Sequence, residues 1–559
     1  MSVFVRVPHG VLRRPESSGK RSATGGPSGL SLASGLPPLT SAFIVAFFSL
    51  SVLLPAAPSS GADWPQLQHD AARTAYTAEA VPPPFRARWI WMGPDCVLRN
   101  RESGPGGLWK DDLRSRAGYN YAVPEKVAFT FGGSMQPIAV GGRVFVADVQ
   151  GKVYALNLDD GSTLWTADNP GGSFWPGVAT DKIVVFPSLA GCLTAYDAAT
   201  GERLWQYDTG KSITTAPALA GEAIYAASQS GRVYAIGLNG KEKWKSEYLG
   251  APIQGGLCAL NGKVYTGTEA MEAVALDGAS GKVVARRKLM GQSFRLVWPV
   301  AVKDRVIFTA VPIVCVGSEY VNDGLIAGKK NGSPWQNAGW NPKITPGYPD
   351  VKAEQAAFRQ WLASDDGKFW ETCFALRADD LKKDYIVATG VTEGCGTPPD
   401  PPAIDANGRP LLWWASGYGT IIKKCGFGTN FTTDISALDL DSGDRVLIDN
   451  GRYASQSTET DNLYAMSVGG RFLYLRQNFR GTSAIDLTTS EHWRISAVYR
   501  TQDGGGWQSP VNYADNPQGG VRVPSTPGGA PAGRVPPILA GGKIVFTENF
   551  AVTCMETAR

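Results

Sequence analysis

Ala155, Ala195, Ala235 and Ala275 stand 40 residues apart, each within a short run whose residues alternate as on a half-buried strand. A period of about 40 residues with strand patterning inside each unit is the length of a four-stranded propeller blade. The unit is clearest from Cys192 to Trp205, where Leu193 and Ala195 alternate, Asp197, Thr200 and Gly201 make a turn, and a second strand ends in Trp205. Trp165, Trp205 and Trp244 close three of these hairpins, whereas Val284 and Ala285 occupy that place in the fourth. Upstream of each hairpin lies another strand (Arg143 to Asp148, Lys182 to Phe186, Ala223 to Ala227, Lys263 to Gly267), preceded by an inner one rich in Pro, Gly and Ala.

After Val302 the spacing breaks but the pattern persists. Ala375, Ala437 and Ala484 repeat it, and Cys554 stands in the alanine position of a final copy, which makes eight. The largest insertion, residues 316–372, contains an amphipathic segment, Val351 to Leu362, with Phe358, Trp361 and Leu362 on one face, read as a short helix. Residues 503–534, rich in Gly, Pro and Asn, read as a long loop, as do residues 93–130. The last copy lacks an outer tryptophan strand, and Phe85 to Met92 (FRARWIWM) supplies one. The predicted fold is all-β: an eight-bladed β-propeller of four-stranded blades, residues 63–559, its last blade closed by an N-terminal strand that removes the open sheet edge. Composition agrees, since 66 Gly, 38 Pro, 17 Trp, 19 Tyr and 21 Phe favour short strands and turns over long helices.

The formal charge of +4 resides in Arg6, Arg13, Arg14, Lys20 and Arg21 against Glu16, so the chain from Asp63 onward is neutral. That excludes the basic footprint of a nucleic-acid binder and of a protein drawn to anionic membrane surfaces. Ser41 to Ala57 is an uncharged apolar run behind this basic leader, followed by the small residues Ser60, Gly61 and Ala62. Residues 1–62 therefore read as an export signal cleaved near Ala62, with an uncleaved membrane anchor as the alternative. No cysteine follows that point directly, which argues against a lipid anchor.

The sequence resembles the pyrroloquinoline-quinone (PQQ)-like repeat β-propellers, which include quinoprotein alcohol dehydrogenases and an outer-membrane assembly lipoprotein of Gram-negative bacteria. The motif that carries the resemblance is AxDxxTGxxxW, complete at Ala195, Asp197, Thr200, Gly201 and Trp205, and partial at Ala155, Gly161, Trp165 and at Ala437, Asp439, Gly443. In that family it is a tryptophan-docking motif, which implies that Trp165, Trp205 and Trp244 pack between blades. DWPQ at Asp63, followed by Asp70, Arg73 and Thr74, looks like the N-terminus of many exported members. A repeat of this kind marks architecture, and architecture does not fix activity.

A quinone dehydrogenase of the family would hold PQQ in the central channel, between a tryptophan floor and a disulfide of adjacent cysteines, with calcium on acidic and amide ligands. None of the eight cysteines here is adjacent to another, and no CxxCH attaches a haem. Cys315 and Cys373 flank the large insertion at the ends of two strands expected to be neighbours, so they are paired here, as are Cys395 and Cys425, against the alternative of buried thiols. His69 and His492, the histidines beyond the leader, have no cysteine or serine partner in a motif and read as structural. Asp439, Asp441, Ser442 and Asp444 have the alternation of a calcium loop but lack its distal glutamate, and coincide with the repeat turn. The remaining candidate site is the channel mouth, where the inner strands begin. Phe174, Trp175, Thr214, Gln254, Arg295 and Trp298 bring aromatic, amide and guanidinium groups there, either to bind a small molecule, glycan or peptide or simply to fill the funnel. The function expected is a monomeric, exported binding or scaffolding protein of the periplasm or envelope with no catalytic residue, no resident metal and an unspecified partner. The rival is a PQQ-dependent oxidoreductase with its site in the channel.

Overall fold

In the computed structural model the 40-residue unit folds as one antiparallel sheet of four short strands, and eight sheets follow one another along the chain. The structure describes residues 62–99, 131, 135–291, 293–310, 371–387, 401–416, 431–455, 465–477, 481–489, 491–495, 535–548 and 551–557, with 356, 359–360, 362–365 and 368 besides. Blade 1 runs through Ile138–Val140, Arg143–Ala147, Lys152–Asn157 and Thr163–Asp168, from the axis outward. Blades 2 to 4 repeat it, from inner strands Val178–Ala179, Ala218–Ala220 and Leu257–Leu260 to outer strands Arg203–Asp208, Glu242–Lys245 and Val283–Lys288.

Among the described residues blade 5 has three strands, Val300–Val302, Arg305–Thr309 and Cys373–Arg377, with a single bridge from Leu376 to Lys383 beyond them. Blade 6 begins at Ala403–Ile404, blade 7 at Ala465–Gly469 and blade 8 at Ile538–Ala540. The inner strands of blades 1 and 2, 3 and 4, 4 and 5, and 6 and 7 touch, and that of blade 8 touches that of blade 1, so the ring is closed. Phe85–Trp91 pairs with Ala551–Thr557 and completes blade 8 as expected. Val97–Arg99, within the stretch read as an irregular loop, adds a further strand to that sheet. Ala356, Arg359, Gln360 and Leu362 are helical; Phe358, Trp361, residues 503–534 and the apolar run 41–57 lie outside the described residues.

Register explains the alanine period. Ala155, Ala195 and Ala235 pair directly with Trp165, Trp205 and Trp244 on the outer strand, Ala484 with Trp493, and Cys554 with Trp89. A small residue opposite each indole leaves it free to reach the next blade, where its ring N–H donates to a turn carbonyl. Trp89 reaches Leu158 at 3.0 Å, Trp165 reaches Ala198 at 3.1 Å, Trp205 reaches Leu238 at 2.9 Å and Trp244 reaches Gly278 at 2.9 Å. The turn glycine is the landing surface: a Cβ on Gly201 would lie 2.6 Å from the Trp165 ring, and its φ of +76° suits glycine. Blade 4 has Ala285 opposite Ala275, and Tyr265 takes over by donating its hydroxyl to Ala378 O of blade 5 at 2.8 Å. Between blades 5 and 6 Tyr385 lies on Gly443 and donates to Leu440 O at 2.6 Å. Tyr385 stands ten residues after Ala375, the spacing of Trp165 from Ala155, so its role was readable once an aromatic other than tryptophan was admitted.

Residues 62–79 form a strap around the axis that touches the blades in order. Ala62 O accepts from Gly541 N of blade 8, Trp64 exchanges two backbone bonds with Ala139 of blade 1, and Pro65 O accepts from Ala179 N of blade 2. The Gln66 amide pairs with both backbone groups of Leu219 in blade 3, imitating a strand. Ala71, Ala72, Thr74 and Ala75 then offer their carbonyls to Ala259, Ala301, Ile404 and Val468 of blades 4 to 7. Tyr76–Thr77 runs parallel to the inner strand of blade 7, and Glu79 accepts from Gly542 N of blade 8, where the circuit began. The donors Ala139, Ala179, Leu219 and Ala259 are themselves 40 residues apart.

Candidate functional site

Hydrogen bonds between turns distinguish the two ends of the ring. At one end the outer hairpin turn leans on the inner one, through Leu158 N to Gly142 O, Ala198 N to Lys182 O and Gly278 N to Gly262 O. The strap lies at this end, since Asp63 receives Gly141 N and Thr77 O receives Gly470 N, both from inner turns. At the other end the connections between blades meet the turns between second and third strands, through Ser173 N to Asp148 O, Gln229 N to Ser212 O and Glu269 N to Pro252 O. Trp175, Gln254, Arg295 and Trp298 all come from those interblade connections.

The strap end is sealed mainly by paired polar groups, with Gln68 Nε2 and His69 Nδ1 left without a hydrogen-bond partner among the described residues. Arg73 is fully buried and gives its guanidinium to Leu67 O at 2.8 Å, Leu257 O at 3.0 Å and Pro217 O at 2.7 Å. Burial lowers this group to about 10, so it remains a cation at neutral pH. Asp70 accepts from Thr74 N at 3.0 Å and from the Thr74 hydroxyl. Burial alone would raise its carboxyl, but the His69 ring 3.7 Å away and the hydrogen bonds from Thr74 outweigh that and hold it below its ordinary value. Gln68, His69, Arg73 and Ala75 all have positive φ, a tight curl for non-glycine residues, held by these buried bonds. His69 packs edge-on against Trp64 at 5.0 Å, a structural position. The sequence reading singled out Asp70, Arg73 and Thr74 without placing them.

At the other end Trp175 and Trp298, from blades that are not neighbours, meet with ring centroids 5.9 Å apart and planes at 89°. Each is 2 % exposed, and Leu67 of the strap, Ala216 and Val535 belong to the same apolar cluster. The Trp298 ring N–H is buried without a partner among the described residues, and so is the Thr214 hydroxyl. Such groups ordinarily cost about 1–3 kcal/mol each. Gln254 is half-buried, with its carbonyl accepting from Leu296 N at 3.3 Å, while Arg295 and Phe174 are exposed.

A polar group the sequence reading missed lies beside them. The Ser293 hydroxyl donates to Glu269 at 2.9 Å and receives Arg295 N at 2.9 Å. Burial pushes the Glu269 carboxyl up, partly offset by Ser293 and the Arg295 charge, and its other oxygen has no partner among the described residues. The available signal was positional: Glu269 stands 40 residues after Gln229 and 80 after Leu189, an acid in a place otherwise neutral. Glu371 of blade 5 is likewise raised by burial and pairs with Lys383 at 2.6 Å.

The other candidates are placed as follows. Asp439 spends one oxygen on Asp441 N, Ser442 N and the Ser442 hydroxyl, and Asp444 pairs with Arg359 at 2.6 Å, so this loop is built as the repeat turn. Asp197 binds Ala199 N, Thr200 N and the Thr200 hydroxyl in the same way. Cys373 is a fully buried free thiol; Cys315, Cys395 and Cys425 lie outside the described residues. The His492 side chain is also outside them.

A family model of the PQQ-repeat type, described as outer membrane protein assembly factor BamB, matches residues 100–254. The protein of that name from Yersinia pestis is 26% identical over 286 residues, covering 47% of this chain and 68% of its own. That from Moranella endobia is 30% identical over 257 residues, covering 41% of this chain and 62% of its own. The chain thus spans about two thirds of the length of these relatives. Among solved structures, a europium-containing methanol dehydrogenase overlays with a TM-score of 0.44 at 12% identity, covering 78% of this chain and 85% of that one.

Proposed function

Because the chain belongs to the PQQ-like repeat β-propellers, we propose that it is an exported scaffold of the cell envelope that binds protein partners through the surface of its ring. The observation that carries this reading is the closure of the axis. The strap seals one end with backbone bonds, and at the other Trp175 and Trp298 meet across the axis, in one apolar cluster with Leu67 of the strap. The outer rim, in contrast, is open to partners: the outer strands of blades 1, 2 and 4 pair on one edge only, and Leu164, Leu204 and Val284 are 45%, 47% and 49% exposed on them. Relatives named as outer membrane protein assembly factors point to the same class of partner.

The oxidoreductase reading finds little support in the residues present. A planar quinone needs an open indole face, and here the two indoles are perpendicular and buried. Among the described residues no three His, Cys, Asp or Glu side chains converge to hold calcium. In-cell cross-linking followed by mass spectrometry is expected to capture envelope assembly proteins, with loss of capture on Leu164→Glu plus Leu204→Glu. Dye-linked alcohol oxidation after adding quinone and calcium, with no envelope protein captured, would overturn the scaffold reading.

A further inference from the structure

The strap begins with an unusual contact. Ala62 N lies 2.6 Å from one oxygen of Glu79, whose other oxygen accepts from Gly542 N. Ala62 O accepts from Gly541 N, and Asp63 accepts from Gly141 N at 3.0 Å. One carboxylate therefore ties the first residue of the strap to its last turn and to blade 8. A neutral peptide N–H would use a small part of what a carboxylate offers, whereas an ammonium brings charge and three donors, with N···O distances near ~2.7–2.9 Å.

We propose that Glu79 is the receptor for a new N-terminus at Ala62, created by hydrolysis of the Gly61–Ala62 bond when the leader is removed. Water adds across the amide: its oxygen goes to the Gly61 carboxylate and both its protons to the Ala62 nitrogen, which becomes an ammonium. A leader peptidase of the exporting cell catalyses the step, and Ser59 and Gly61 give it the small residues it needs at −3 and −1. Free α-amino groups titrate near about 7.7–8.0, so this one is charged at neutral pH. Processing would thereby add an ion pair at the point where the strap starts, and tie leader removal to the closing of the ring. The inference rests on the exported reading above.

The test is to express the full chain with its own leader in a Gram-negative host and read the envelope-purified protein by N-terminal sequencing and intact mass. Ala62 is expected as the first residue. Recovery in the cytoplasm with residues 1–61 attached overturns the exported reading itself; an exported chain that begins elsewhere overturns this inference and leaves export standing. In the processed protein, selective acetylation of the α-amine and Glu79→Gln are each expected to lower Tm by roughly 1–2 °C, with no further loss when combined. No loss on acetylation, or additive losses, would overturn the role of Glu79.

Discussion

At the strap end of the ring, inner and outer turns are short, the strap supplies a partner to every inner strand, and the tryptophans land on turn glycines. At the opposite end, around blades 4 and 5, buried atoms of Thr268, Glu269, Trp298, Thr309 and Thr372 have no hydrogen-bond partner among the described residues, against Gln68 Nε2 and His69 Nδ1 in the strap. The first arrangement is what stability demands, because a buried unpaired polar group is costly. The second gathers several such costs around blades 4 and 5, as functional surfaces do. The difference teaches that this propeller is held from one end, and that the two ends should respond differently to the same kind of substitution.

The largest effect is expected from Arg73→Met. It leaves the carbonyls of Leu67, Pro217 and Leu257 unpaired in the core and should cost roughly 4 kcal/mol or more, read from urea unfolding. Its counterpart at the other end, Trp298→Phe, removes an N–H that bonds nothing and should stay within about 1 kcal/mol of the parent. Equal losses would erase the contrast. Trp165→Ala should cost roughly 3 kcal/mol by the same measurement, as a large-to-small change at a buried seam; Trp205→Ala, whose indole is less buried, should cost less. Gly201→Ala comes next, at roughly 1–3 kcal/mol, because its Cβ meets the Trp165 ring and its backbone is left-handed.

The smallest effect is on pH dependence, where the two ends have opposite signs. Asp70 is held below its ordinary value, so its contribution is present above the unfolded carboxylate range and is lost as pH falls through the lowered value. Glu269 is raised, so stability is fullest below its ordinary value and declines as pH rises through the raised one. Thermal melts between acid and neutral pH should show Asp70→Asn flattening the acid loss and Glu269→Gln removing the decline. A single sign for both would sink the comparison.

Much of the ring was legible because its logic is periodic. A small residue must sit opposite each docking tryptophan, so Ala155, Ala195, Ala235, Ala484 and even Cys554 announce their own places, and Trp89 declares which blade the N-terminal strand completes. The strap was legible only in part: Asp70, Arg73 and Thr74 stood out, but its backbone bonds to the inner strands of most blades leave no pattern in the side chains. The Glu269–Ser293 pair was not legible, since two residues 24 apart become partners only when blades 4 and 5 are in place. Trp175 and Trp298 were singled out by register, yet their perpendicular contact depends on the closure of the ring.

The strap and the strand Phe85–Trp91 that follows it have a consequence for how the chain comes to be folded. Their partners are spread over the whole ring, and the last of them, Ala551–Thr557, follows all the other blades along the chain. The earliest segment of the propeller in the chain is therefore the latest that can dock, so during folding it has to wait as an unpaired strand while seven blades assemble beside it. Such high contact order slows the final step and prolongs the life of an open ring.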